Sequence, residues 1–355
     1  MPVAGMISYL LRAHRADPGG LAANDNRRRA LATASLQQFE DLLAAAREIG
    51  PEARPLPLFY ALSQAGRAIL AIRSPDDADV ADENDSHGLS TGRAPSEPHE
   101  YGLLLTKQRP NSPGRARQHF QRVAAAVGSP AFTQETELGA LLASLPEMTD
   151  YWPWDDWPIA ASVEHFHNTD DPTNEAGLLT TIAIDKDAAP SLESIETLGD
   201  RYPTIRPFRP EVYNGAAPQP ARYYTIFTPI GHKAVQVVLH LPHRDPANAL
   251  NEFAPEYRWI GRHWMRPSFD GSSPPPNPLM TWWLVLHALS NLARYQPVAW
   301  TAATDLNRSS MATALERALD IALEAIPHLL LEALANPPGK RFLLPPGPDS
   351  TPVQR

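Results

Sequence analysis

The sequence predicts an α+β protein: a helical body built from N- and C-terminal helices around a buried central helix, with an antiparallel sheet from the middle third. Three observations predict it. The run 277–300 opens on Asn277, a good N-cap, with Pro278 at the first helical position, where its missing N–H costs nothing. From Leu279 onward it is apolar on every face, which marks a buried helix rather than an amphipathic one. Further segments, 24–50 and 309–334, repeat apolar residues at helical spacing, and the middle third carries β-branched runs with no long helix between them.

In chain order, 8–15 predicts a short helix that Asp17-Pro18-Gly19-Gly20 breaks. Residues 24–50 predict a long helix with Leu36, Phe39, Leu42 and Leu43 on one side, ended by Gly50-Pro51. A second apolar helix follows over 54–70, opened by Pro57. Its Gly66 costs about 1 kcal/mol relative to Ala, a sacrifice that close approach of another helix would explain. Gln64 and Arg67, three apart and so on one face, are its polar exceptions. Residues 74–100 read as a flexible acidic loop, 101–107 as a strand, and 116–127 and 133–145 as helices.

The segment 151–158 holds three Trp and two Pro and is read as irregular chain packed over a core edge, with an aromatic recognition loop as the alternative. Residues 178–185 predict a strand, 222–228 and 234–241 a hairpin, and 257–267 a further strand. The central helix ends where Pro297 disfavours helical geometry at Gln296. A long helix over 309–334 contains Pro327, which is expected to kink it. The expected organisation is one large domain over 1–335, with 24–73 and 278–335 packed together and 101–267 as a mixed α/β insert. The loop at 74–100 and the tail at 336–355 stand outside it as flexible and disordered segments.

Composition bounds the function. The chain has 355 residues and a net charge of −9, which disfavours a general nucleic-acid or anionic-membrane binder. Charge is uneven: 74–100 holds eight acidic residues against one Arg, and 201–266 holds nine Lys or Arg against four acids. Any anion-seeking surface should therefore come from the second stretch, with Arg258, Arg262 and Arg266 as candidates; the favoured alternative pairs these arginines with acids from elsewhere in the chain. The absence of cysteine excludes disulfides, thiolate metal sites and cysteine nucleophiles. The N-terminal residues lack a basic region followed by an apolar core, and the Arg, Pro and Ala bias is that of a GC-rich bacterial genome. A cytoplasmic bacterial protein is expected.

Several stretches carry a family resemblance. They are Pro55-Leu56-Pro57-Leu58-Phe59-Tyr60-Ala61-Leu62-Ser63-Gln64-Ala65-Gly66-Arg67-Ala68, then Ser86-His87-Gly88-Leu89, then Pro278-Leu279-Met280 with Leu289-Ser290-Asn291-Leu292-Ala293-Arg294-Tyr295-Gln296-Pro297-Val298-Ala299-Trp300. In order and approximate spacing they resemble the bacterial YaaC-like family, from about residue 30 to 335. The Ala-Arg-Tyr-x-Pro-x-x-Trp element is the most specific part. The resemblance implies a bacterial cytoplasmic protein and assigns no reaction, catalytic residue or cofactor.

Candidate chemistry is sparse. His165 and His167 stand two apart on an expected strand beside Glu164, a spacing that metal sites use, but no third ligand follows at a recognisable distance. No cofactor is expected, and no phosphate loop, nucleophile elbow or HExxH helix occurs. Arg93 and His99 have the spacing of a HEPN-type ribonuclease motif, yet Pro95 and Pro98 prevent one helix from presenting both. A second arrangement has Arg67, Arg294 and His87, with Gln64 beside them, converge at the helical core. There Arg holds a phosphate and His moves a proton. The competing reading makes the same arginines buried ion pairs or helix caps, with Tyr295 and Trp300 packing the corner or forming a binding surface with Arg294.

The leading expectation is a non-catalytic interaction or regulatory component of a multi-protein bacterial system, such as phage defence, with protein partners and no membrane. The alternative is a nucleic-acid or nucleotide-processing enzyme using the Arg/His set. Gln64, Arg67, His87 and Arg294 lining one solvent-reaching pocket would favour the enzyme. A buried, mutually paired set would favour the structural role.

Overall fold

The computed structural model describes residues 3–77, 87–109, 118–130, 132, 134–149, 157–167, 176–184, 198–203, 209–212, 225–227, 233–240, 258–259, 262–271 and 273–335. The chain is α+β and divides into two compact units, one from Met1–Leu141 with Pro276–Phe342, the other from Leu142–Pro275 with Leu343–Arg355.

The first unit is helical. It contains α1 (Val3–Ala16), α2 (Asn26–Glu48) and α3 (Pro55–Arg73). A small antiparallel sheet of β1 (Leu89–Thr91), β2 (Leu105–Gln108) and β3 (Thr136–Glu137) follows, with α4 (His119–Ala126) between the last two strands. After α5 (Leu138–Ala143) the chain leaves the unit and returns as α6 (Pro278–Tyr295), α7 (Pro297–Thr304) and α8 (Ala312–Ala335).

Helix α6 is the run that is apolar on every face, and it is buried without interruption from Pro278 to Ser290. Its start is fixed as the sequence predicts: the Asn277 carboxamide accepts the Leu279 N–H at 2.9 Å. Around it pack α3, α7, α8 and the edge of the small sheet. Trp282 and Trp283 are fully buried. Each takes roughly 200 Å² out of water, worth about 5 kcal/mol of transfer free energy as an upper bound.

Gly66 lets α3 reach that surface. A Cβ at this position would lie 2.5 Å from Cη2 of Trp283, 2.9 Å from its Cζ3 and 2.9 Å from Cγ2 of Val123. The helix-propensity loss at Gly66 thus has the physical reason expected of it, a close helix–helix approach.

Helices α2 and α3 form an antiparallel pair closed at both ends by arginine. At one end Arg28 donates to the Ser74 carbonyl at 2.7 Å, near the carboxyl end of α3, and to Asp77. At the other, Arg54 donates to the Ala46 and Ile49 carbonyls that end α2 and pairs with Asp320 of α8 at 2.6 Å. Each guanidinium satisfies carbonyls that a helix end leaves open, where the macrodipole favours a cation.

The second unit is organised on a seven-stranded sheet whose pairings are all antiparallel. Its strands are β4 (Ala161–His167), β5 (Ala176–Ile184), β6 (Arg209–Val212), β7 (Thr225–Phe227), β8 (Lys233–His240), β9 (Arg258–Trp259) and β10 (Arg262–Met265). The order is β6-β8-β5-β4-β10-β9, with β7 also on β8. Pro210, which cannot donate to a ladder, lies in the edge strand β6.

Several local expectations differ from the structure. The strand expected over 101–107 is a 3-10 turn at Pro98–Leu103, with strand geometry only from Leu105. The helix expected over 133–145 begins only at Leu138, because Thr136 and Glu137 pair with Thr106 and Leu105 instead. Sheet pairing with a distant segment outweighs local propensity there. The single strand expected over 257–267 is two, β9 and β10, paired with each other through Arg262 opposite Trp259. Part of the expected acidic loop, 89–91, is strand β1. The Trp-rich residues 151–156, the hairpin turn 228–232, most of the acidic run at 78–86 and the tail 336–355 lie outside the described residues.

The α3–α6 contact yields a test. Gly66→Ala should lower stability by about 1–3 kcal/mol through overpacking, despite the gain of about 1 kcal/mol in helix propensity. Trp283→Phe, which removes the opposing ring edge, should restore part of the loss in a double-mutant cycle read by denaturant unfolding. A Gly66→Ala variant more stable than the parent would refute the tight approach.

Candidate functional site

The candidate site lies in the helical unit, where two polar stripes face an aromatic wall. On α3, Tyr60, Gln64 and Arg67 are spaced i, i+4 and i+7, so they share one face; Gln64 and Arg67 are half-buried. On α6, His287, Asn291 and Arg294 repeat that spacing. Both helices are otherwise apolar, so these stripes are where each departs from being core.

His87 enters from the start of β1. Gly88, at φ +79°, turns the chain there, and a Cβ on it would lie 2.8 Å from Cβ of Gln118. The His87 carbonyl accepts the Phe120 N–H at 3.3 Å and the Gly88 carbonyl accepts the Arg109 N–H at 2.8 Å. The imidazole packs edge-on against Phe59, with ring centroids 4.9 Å apart, and Phe59 meets His287 at 5.6 Å on an edge-to-face contact of its own. Tyr60 lies 6.4 Å from the His87 ring. Arg294 donates to the Tyr60 hydroxyl at 3.2 Å, and its guanidinium carbon lies 4.8 Å from the Tyr295 ring centre and 5.9 Å from that of Tyr60.

The electrostatics point one way. Burial lowers the pKa of His87, and the nearby Arg294 and Arg67 lower it further. Burial holds His287 down to about 3, with His87, Arg294 and Arg109 adding to the effect. His119, whose Nε2 donates to the Ser63 carbonyl at 3.1 Å, is held near 4, chiefly by burial. Three imidazoles and three guanidiniums thus share one neighbourhood. Among the described residues Arg67, Arg109 and Arg294 form no ion pair.

His287 is tied into the wall. Its Nδ1 lies 2.9 Å from the Thr91 hydroxyl and its Nε2 lies 3.1 Å from the Asn291 amide nitrogen. An amide that donates to Nε2 leaves the ring proton on Nδ1, where it donates to Thr91. His287 therefore holds β1 against α6, and its depressed pKa suits a neutral bridging role rather than proton transfer near pH 7.

The other candidates fall elsewhere. Trp300, expected beside Arg294, is 3% exposed and donates its indole N–H to the Glu52 carbonyl at 2.7 Å, because Pro297 opens a new helix that carries it to the α2–α3 connection. Tyr295 is 69% exposed. Arg266 is 1% exposed inside the second unit, donating to the Ser144 carbonyl at 2.9 Å. Arg258 and Arg262 lie in β9 and β10, and His165 and His167 in β4, opposite Leu178 and Ala176; the side chains of these four lie outside the described residues. Arg93 precedes the 3-10 turn that contains His99, so one helix does not carry both. The sequence reading missed His119, His287 and Arg109. A histidine amid apolar helix reads as core, and only the fold brings the three to His87.

The family model for YaaC-like proteins matches residues 8–334, most of the chain. No curated protein and no solved structure matches it. Among the described residues no helix is long and apolar enough to cross a membrane.

The buried histidines set an acid response. Below pH 6.5 an unfolded histidine takes up a proton that His119 and His287 refuse until about pH 4 and 3. Stability is therefore complete above pH 6.5 and falls as pH drops, each group adding a slope of about 1.4 kcal/mol per pH unit. Denaturant unfolding from pH 7 to 4 should show it, and His119→Gln should remove one proton from the slope; an unchanged slope would contradict the neutral buried imidazole.

Proposed function

This chain belongs to the YaaC-like family, and from that premise we propose that its helical unit binds a phosphate-bearing ligand at Arg67, His87 and Arg294. One observation carries the reading: in a protein of net charge −9, Arg67 and Arg294 stand beside His87 and Arg109 beside the neighbouring His287, with no carboxylate paired to any of the three among the described residues. Like charges held together without a counter-ion oppose folding, and a set retained for stability alone would include an acid. A phosphate supplies the missing charge. Guanidinium is the group suited to it, since its planar fork donates two parallel bonds to adjacent oxygens.

Arg294 is poised for this. Its Nε is buried and has no hydrogen-bond partner, and one face of its guanidinium rests on Tyr295. His87, kept neutral near pH 7 by burial and by the two arginines, supplies an acceptor for a ligand hydroxyl or a base for its proton. The nucleotide-processing reading uses that last feature.

The interaction reading, a regulatory component of a multi-protein system of the phage-defence kind, draws on the exposed apolar side chains Tyr295, Val298 and Leu306. They stand on α7 or within a few residues of its ends. The two readings are compatible, with a phosphate ligand at the cluster and a partner beside it.

Titration calorimetry with inorganic pyrophosphate tests the proposal. Arg67→Ala and Arg294→Ala should each weaken binding about 10- to 100-fold, the value of one hydrogen bond to a charged group. Unfolding midpoints should stay close to the parent, since neither guanidinium is ion-paired among the described residues and the Arg294–Tyr60 hydrogen bond is exposed. Absence of pyrophosphate binding, or variants that lose stability while binding as before, would sink it.

A further inference from the structure

A groove of about 950 Å³ runs over the same helical unit, with Arg93, Ala94, Tyr295, Gln296, Val298 and Arg308 among its lining residues. Its walls are held in place. Gln296 accepts the Ala94 N–H at 2.9 Å and donates to the Gly92 carbonyl at 3.5 Å, so the 92–96 segment is pinned to the start of α7.

Three features say what it takes. Among the described residues no Asp or Glu lines it, although the chain holds 40 acidic residues against 31 basic ones. Arg93 and Arg308 line it, both are exposed, and neither forms an ion pair among the described residues. Tyr295 lines it as well, and the guanidinium that stacks on Tyr295 belongs to Arg294 of the phosphate cluster. Groove and cluster therefore meet at the Arg294–Tyr295 pair. A single phosphate at the cluster would leave a volume at the upper end of ordinary ligand pockets empty.

We infer that the groove is a track for a short single-stranded nucleic acid, with one phosphate at Arg67 and Arg294, others on Arg93 and Arg308, and a base against Tyr295. The inference rests on the phosphate reading of the cluster. Separated cations with an exposed aromatic face are what a strand of repeating phosphates and flat bases requires. A phosphopeptide brings one phosphate and leaves Arg93 and Arg308 without a counter-charge. A duplex offers no free base face for Tyr295.

Fluorescence anisotropy of the full chain with labelled decanucleotides of mixed sequence, one RNA and one DNA, tests it beside the pyrophosphate titration. Three neutralised phosphates predict binding about twentyfold weaker at 200 mM than at 50 mM salt. Tyr295→Ala should weaken the oligonucleotide about five- to hundredfold, the value of one stacked base. Arg308→Glu should weaken the oligonucleotide and leave pyrophosphate affinity unchanged; both side chains are exposed, so folding is not at issue. The inference is overturned, with the phosphate reading intact, if pyrophosphate binds while the oligonucleotides bind no tighter. The same holds if neither variant changes oligonucleotide affinity, or if a phosphoserine peptide matches it. Failure of pyrophosphate and oligonucleotide alike removes both readings.

Discussion

The helical unit depends on one contact, the seating of the Trp283 ring against the bare backbone of Gly66. Helix α6 is buried without interruption from Pro278 to Ser290, so that length must be covered on every side, and α3 is the largest of its covers. Two helices normally stand 8–10 Å apart, a distance set by the side chains between them. With Gly on one and Trp on the other, a large ring fills the interface and the backbone of α3 still approaches closely. His119 and Phe120 then pack edge-on against the same indole, with centroids 5.3 and 6.1 Å away, which positions α4 as well. Three helices are thereby placed by a single side chain.

That placement has an electrostatic consequence. Once α3 and α6 are brought together, their polar stripes lie near one another whether or not their charges suit, and the charges do not suit. Arg67 and Arg294 are half-buried cations near a histidine that cannot easily become a third. The aromatic rings of Phe59 and Tyr60 soften the arrangement, since a ring face attracts a guanidinium and a ring edge tolerates a neutral imidazole. They do not neutralise it. The contrast with Arg28 and Arg54 is instructive, because both of those occupy helix carboxyl ends and each has a carboxylate partner. The chain thus uses arginine in two ways. Where the group closes a helix pair it is fully satisfied, and at the cluster it is left open.

Much of the fold was legible because its signals are local. The all-round apolar run from Leu279, the Asn277 cap and the β-branched stretches near 178 and 234 each announce an element without reference to the rest. Even Gly66 could be read, since a glycine inside an apolar helix has few reasons to persist other than close packing. The errors came where a partner strand decides the conformation. Thr136 and Glu137 follow helix-compatible sequence, yet Leu105 and Thr106 offer them a ladder, and nothing near 136 in the chain records that offer. Likewise 257–267 reads as one strand, and the pairing of Trp259 with Arg262 divides it.

The site was legible only in part, for a related reason. Gln64, Arg67 and Arg294 stand out because each interrupts an apolar helix, and the anomaly is visible in one dimension. His119 and Arg109 interrupt nothing conspicuous, His287 interrupts α6 but reads as a core histidine, and all three matter through neighbours far along the chain. Net charge misleads in the same way. A total of −9 argues against an anionic ligand if charge is spread evenly, but a ligand feels only what lies within about a Debye length of roughly 8 Å. Arg67, Arg93, Arg109, Arg294 and Arg308 come from separate stretches of sequence and never form a basic run. Folding gathers them on one unit, while Arg266, from the most basic stretch of the chain, goes into an interior. Which charges meet at the candidate site is therefore a property of topology and not of the protein's total.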